Sequence, residues 1–242
     1  MKKLTLLSIA LLLFSSCIAQ WGNKIKGNGN VITVDRSVGE YDAIDMTGFY
    51  DVEFIEGKEG NLTITGEENL LKYIITEVKD GKLILKTEKG YNLQVSNRKS
   101  IKISVPVAQI EAVYLSGSGD ITSRMTLKSG AFKTTISGSG DITLNLDVKD
   151  LKTTISGSGD INLSGTADTF DVSISGSGDI DAYELKANDV TVSVSGSGDI
   201  DVTAEKSFKA RVSGSGDINY RGNPSKVDTK SSGSGDIMKV AL

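Results

Sequence analysis

The sequence predicts an all-β protein: a parallel β-helix, or solenoid, of about seven regular coils of 18–21 residues after a less regular β section. Three observations predict it. The hexapeptide SGSGDI occurs seven times, with its aspartates at Asp120, Asp141, Asp160, Asp179, Asp199, Asp217 and Asp236. The residues before each copy alternate between apolar and polar. The period is near 19 residues, shorter than helix-pair repeats, and it is filled with Thr, Val, Ile, Ser and Gly.

Aligning the copies on their aspartates gives columns. Nine residues before each Asp stand Phe132, Leu151, Phe170, Val190, Phe208 and Val227. Seven before stand Thr134, Thr153, Val172, Val192, Ala210 and Thr229. Five before stand Ile136, Ile155, Ile174, Val194, Val212 and Ser231, and an Ile always follows the Asp. Lys, Thr, Ser, Asp or Arg lie between them. A period of two with branched apolar residues marks a strand with one buried face. One such strand cannot bury that face alone, but stacked copies can, about 4.8 Å apart. A β-sandwich is the alternative, but its hairpins would not return the same letters to the same place. Gly138 and Gly140 fall on the face of Ile136 and Ile142. Their repetition predicts a pinched or sharply bent backbone that only glycine accepts.

Residues 1–19 read as a signal peptide. Lys2 and Lys3 precede an apolar run from Leu4 to Phe14, too short to span a bilayer. Two processing routes fit. Cys17 and Ala19 form a small-x-small site that releases a chain starting at Gln20. Alternatively, FSSC is a loose lipobox, and Cys17 becomes the lipidated first residue. Residues 20–110 form the irregular amino-terminal β section, and 111–242 the regular repeat. In the first section, IKGNGNVIT (residues 25–33) and IDMTGFYDVEF (44–54) look like degenerate coils. NLTIT, KLILK and KSIKISVP read as strands, Asp80-Gly81 as a hairpin turn, and EENLLKYI as a short helix. Pro106 belongs at an edge or strand end.

Composition excludes several functions. The chain has no histidine and one cysteine, Cys17. That rules out an internal disulfide, a Cys/His zinc site and a Ser-His-Asp triad. Net charge is −4, or −6 without Lys2 and Lys3 (25 basic against 31 acidic residues), and nucleic acid needs a basic footprint instead.

GNGNV, IDMTGFYDVEFIEG, ENLLKYIITEVKDGKLILK and the tandem SGSGDI, in that order, resemble the head GIN domain family, labelled as a putative auto-transporter adhesin. The resemblance covers roughly residues 26–240. It implies a right-handed β-helix, export in a gram-negative bacterium and an adhesion-type role. It brings no catalytic residues.

The stacked aspartates are the sharpest candidate for chemistry. Carboxylates about 4.8 Å apart repel by roughly 1 kcal/mol per pair in water, so something must offset them. Each Asp can bond turn amides or Ser hydroxyls. The alternative is a calcium ladder along Asp120, Asp141, Asp160, Asp179, Asp199, Asp217 and Asp236. The chain lacks the GGxGxD nonapeptide of calcium-binding β-rolls and any second acidic column. Ser137, Ser139 and their equivalents have no base to activate them. Lys133, Lys152, Lys209 and Arg211 share outward columns with Thr135 and Thr154, and read as a solvated face. Trp21, Tyr41, Phe49, Tyr50, Tyr91, Tyr183 and Tyr220 are scattered; a carbohydrate platform would need several of them together.

The expectation is therefore an exported, non-enzymatic β-solenoid in the periplasm, on the outer membrane or secreted. It would have no cofactor and would bind through its elongated surface. Partners would be a glycan, an envelope protein or its own copies through the solenoid ends, with membrane contact only through a lipid on Cys17. The alternatives are a polysaccharide-active β-helix enzyme and a purely structural envelope protein.

Overall fold

The computed structural model describes residues 22–97 and 99–241. The signal peptide, Cys17, the Ala19–Gln20 cleavage point and Trp21 lie outside them.

The amino-terminal section holds strands β1 (Asn23–Lys26), β2 (Val31–Ser37), β3 (Ala43–Gly48), β4 (Asp51–Glu56) and β5 (Asn61–Glu67). A single helical turn α1 (Glu68–Leu71) follows, then β6 (Ile74–Lys79), β7 (Lys82–Thr87), β8 (Tyr91–Gln94) and β9 (Lys102–Val107). The strands read from NLTIT, KLILK and KSIKISVP, and the short helix, all form. Asp80 and Gly81 take φ of 53° and 73°, and β6 and β7 pair antiparallel across them. That is a type I′ hairpin turn, favoured by an Asp-Gly pair. Pro106 is the second-last residue of β9.

Residues 43–56 do form a coil. Ile44, Met46 and Gly48 register in parallel with Val113, Leu115 and Gly117 of β10 (Ala112–Gly117). Residues 25–33 do not form one. Ile25 pairs with Leu93 of β8, and β2 runs antiparallel to β5. The coil beneath residues 43–56 comes instead from later in the chain. Strand β7 lies parallel to β3, and β9 lies parallel to β4. The chain thus makes its second coil first, crosses back, lays the lowest coil, and then passes over both to β10. Antiparallel β6 on one face and β5 on the other close this end. The long separation of these partners hides the arrangement from any periodicity search.

Above it the coils are regular. Strands β11 (Ile121–Ile136), β12 (Ile142–Ile155), β13 (Ile161–Ile174), β14 (Ile180–Val194) and β15 (Ile200–Val212) each make one coil. Strands β16 (Ile218–Arg221), β17 (Lys226–Ser231) and β18 (Ile237–Lys239) complete the stack. All pair in parallel, which excludes the sandwich. The columns match residue for residue. The isoleucine after each Asp registers with the next, from Ile121 to Ile237, and Phe132 faces Leu151, then Phe170, Val190, Phe208 and Val227. In β12 the burial alternates through Ile142, Leu144, Leu146 and Val148, then skips at Lys149–Asp150 before Leu151, Thr153 and Ile155. The skip turns the coil's corner. SGSGD turns the opposite one.

The last coil ends the core in the sequence itself. Its inward positions carry Thr229 and Ser231, where the other regular coils place Val or Ile at the second, and all of β17 is exposed. Lys226, Lys230 and Lys239 mark the free edge, a feature that discourages strand addition.

Candidate functional site

The SGSGD turn explains itself through its backbone hydrogen bonds. In the turn at residues 137–141, the Ser137 N–H donates to the Leu115 carbonyl of the coil below. The Ser139 and Gly140 amides then share one acceptor, the Gly117 carbonyl, at 2.8 and 3.1 Å. Two donors on one carbonyl leave the next amide, that of Asp141, without a backbone acceptor. The carboxylate of Asp120 supplies it: its Oδ1 accepts from the Asp141 N–H at 3.2 Å. The same bond recurs from Asp160, Asp179, Asp199, Asp217 and Asp236 to the Asp one coil below, at 2.7–2.9 Å. Buried or half-buried amides must find partners, and a short acceptor at this position completes the ladder. The aspartates remain exposed except Asp217, which is half-buried. Among the described residues no three carboxylates converge as a metal cluster.

The glycines answer to a close approach. A Cβ on Gly138 would lie 2.1 Å from the Gly117 carbonyl oxygen, and one on Gly140 would lie 2.0 Å from that of Gly119. The obstacle is thus the coil below rather than the core. Two side chains per turn must be missing for the coils to stack.

Around this turn the serines are exposed or, at Ser116, half-exposed. They and the aspartates form parallel rows along the solenoid, each copy equivalent to the next. The lysines sit where expected. Lys133 and Lys152 are neighbours on the outward face, and Lys133 lies over the Tyr114 ring at 5.2 Å. Arg211 is tied at 2.6 Å to Asp228, whose carboxyl it holds below the usual carboxylate range. The opposite corner carries a trough of about 730 Å³ lined by Lys128, Asp147, Lys149, Asp168, Lys186 and Glu205 among others. Two of its acids are engaged: Asp147 meets Lys128 at 3.7 Å and accepts from Thr166, and Asp168 accepts from Asn188.

Sequence reasoning missed two features. The first is Glu67, fully buried. Its carboxylate accepts from the Gly29 N–H, the Ser96 N–H and the Ser96 hydroxyl at 2.5–2.8 Å. Burial alone would raise its pKa, but these donors outweigh that and hold it below the usual range. Around it the GNGN and EEN segments interlock: Asn69 Nδ2 donates to the Lys26 carbonyl, and the Glu68 N–H to that of Asn30. A Cβ on Gly27 would strike the Glu67 carboxylate. This lock is why residues 25–33 leave the coil pattern. Two glycines alternating with asparagines was the visible signal, and it points as well to a clasp as to a turn.

The second is the aromatic set. Phe49 and Tyr50 pack at 5.2 Å, and Tyr73 and Tyr91 at 4.3 Å, all at the amino-terminal end. Tyr41, Tyr183 and Tyr220 lie apart. Tyr220 stacks on Phe208, and Tyr183 sits under Arg221, its phenol pushed up to about 12 by burial and by Asp201.

Solved structures share this architecture. A putative adhesin from Bacteroides fragilis NCTC 9343 is 29% identical with a TM-score of 0.83, over 89% of this chain and 100% of that one. A putative lipid binding protein from Parabacteroides distasonis ATCC 8503 is 28% identical with a TM-score of 0.73, over 90% and 100%. A putative adhesin from Parabacteroides merdae ATCC 43184 is 26% identical with a TM-score of 0.69, over 90% and 99%. No curated protein matches the chain. The family model described as "Putative auto-transporter adhesin, head GIN domain" matches residues 40–224, and the chain belongs to that family.

Proposed function

We propose that the protein is an exported, adhesion-type binding module of the gram-negative cell surface, without catalytic activity. One observation carries the reading. The hexapeptide that dominates the sequence is spent on stacking, and it presents largely exposed Ser and Asp rows that repeat the same chemistry in every coil. Catalysis needs one distinguished group with an oriented partner; a binding surface does not. The adhesin descriptions of the family and of two solved relatives support this reading. The lipid-binding description of another relative belongs to that protein. Four cavities on this chain carry three carboxylates each, a poor lining for an acyl chain.

Two measurements test the reading. Antibody against the protein should label intact cells, and beads coated with the protein should adhere to mucin or to cultured cells more than albumin-coated beads do. Unlabelled intact cells, or release of reducing ends from an acidic polysaccharide, would overturn it. Mass spectrometry of the amino terminus then decides between Gln20 and lipidated Cys17.

A further inference from the structure

A cavity of about 610 Å³ opens at the amino-terminal end of the solenoid, lined by Asn23, Phe49, Thr87, Lys89, Gly90, Tyr91 and Asn92 among others. It differs from the cavities above in charge. Those each hold three carboxylates; this one holds none and a single lysine. In a chain of net charge −4 that is a local reversal.

Its two aromatic residues are half-exposed, and each is braced from behind. Phe49 leans on Tyr50, which is fully buried and bonded through its hydroxyl to Thr87. Tyr91 leans on Tyr73. Their positions are therefore set before any ligand arrives, which lowers the entropy cost of binding. The strand pairing of β1 with β8 adds the amide of Asn23 directly opposite Tyr91. The side chains of Asn23 and Asn92 are exposed, and a carboxamide carries two donors and an acceptor. The Gly90 turn, at φ 91°, lets the chain bend here without a side chain filling the space.

We propose that this cavity binds neutral pyranose sugars of a surface glycan. Braced aromatic rings suit the apolar face of a pyranose. Asn amides and a hydroxyl suit its rim. The lack of carboxylates removes any preference for a cationic ligand, and one lysine is too little for a polyanion. The volume lies within the usual range for small-ligand sites. The assignment rests on the adhesion reading and adds to it a place and a ligand class.

The test is a titration of the isotope-labelled protein with galactose, glucose, mannose and N-acetylglucosamine, each to 20 mM, followed by backbone amide shifts. At least one sugar should shift Asn23, Phe49 and residues 89–92 together, with millimolar affinity. Phe49→Ala should weaken that binding at least tenfold, and Lys89→Ala less than twofold. Both variants should keep the wild-type spectrum elsewhere, which separates lost binding from lost folding. Shifts absent with all four sugars, or confined to the SGSGDI face, would overturn the pocket. If they are absent while coated beads still adhere, the pocket assignment alone falls. If beads fail as well, the adhesion reading falls with it.

Discussion

The Oδ1 atom of Asp160 accepts a 2.8 Å hydrogen bond from the backbone N–H of Asp179, one coil along the solenoid. The bond supplies the acceptor that the bifurcated turn lacks, and it offsets part of the repulsion between stacked carboxylates. Asp160→Ala should cost about 1–3 kcal/mol by leaving that amide unpaired. Asp160→Asn keeps an acceptor and removes a charge, so it should change stability by less than about 0.5 kcal/mol. Urea unfolding of both variants checks this. If the amide bond is enough to offset the carboxylates without a cation, EDTA should leave the melting temperature unchanged. A calcium-dependent rise would assign the ladder to a cation instead.

Gly157 and Gly130 separate close approach from simple flexibility. A Cβ on Gly157 would lie 2.1 Å from the Gly138 carbonyl, whereas one on Gly130 meets nothing within 4 Å. Gly157→Ala should destabilise by about 3 kcal/mol. Gly130→Ala should stabilise by about 0.4–1 kcal/mol through the unfolded chain. Equal effects in thermal melts would contradict the stacking role.

Thr153 is fully buried, its hydroxyl has no partner, and its neighbour in the same column is Val172. Thr153→Val keeps the shape and removes an unpaired polar group. It should raise stability by about 1 kcal/mol in urea unfolding. Thr134→Val, one coil below, should do the same.

Glu67 should govern acid sensitivity of the amino-terminal end. Its folded-state pKa is lowered, so its contribution is full above the unfolded value near 4.3 and is lost as pH falls through the folded value. The wild-type melting temperature should therefore fall more steeply below about pH 4.3 than that of Glu67→Gln. Glu67→Gln should also be less stable at pH 7, because an amide cannot meet three donors with a charge. Parallel pH–melting curves for the two proteins would exclude the role.

Much of the fold was legible because it is local repetition. The alternation through Ile142, Leu144 and Leu146 states which face is buried, and the return of the same letters at Ile161, 19 residues on, states what stacks on what. Thr229 and Ser231 even mark where the core stops. The reason for Gly138 was not legible, since a glycine missing a side chain toward the core and one avoiding a carbonyl below look the same in one dimension. Nor were the partners of Asp141: the letters allow an amide, a hydroxyl or a metal.

The parallel stack, its period, its buried columns and the absence of histidine chemistry are all written in the order of the residues. Each follows from residue types at fixed separation, and a repeated unit carries its own instructions for pairing. The rest emerges when the chain folds. Folding placed residues 82–107 beneath residues 43–56, closed GNGN around Glu67, and gathered Phe49, Tyr50, Tyr73 and Tyr91 at one end. The strand pairings and the Glu67 clasp join residues 38 to 51 apart that share no period. Loop closure over such separations costs little extra free energy per residue, so the chain is free to make them and no local pattern announces them.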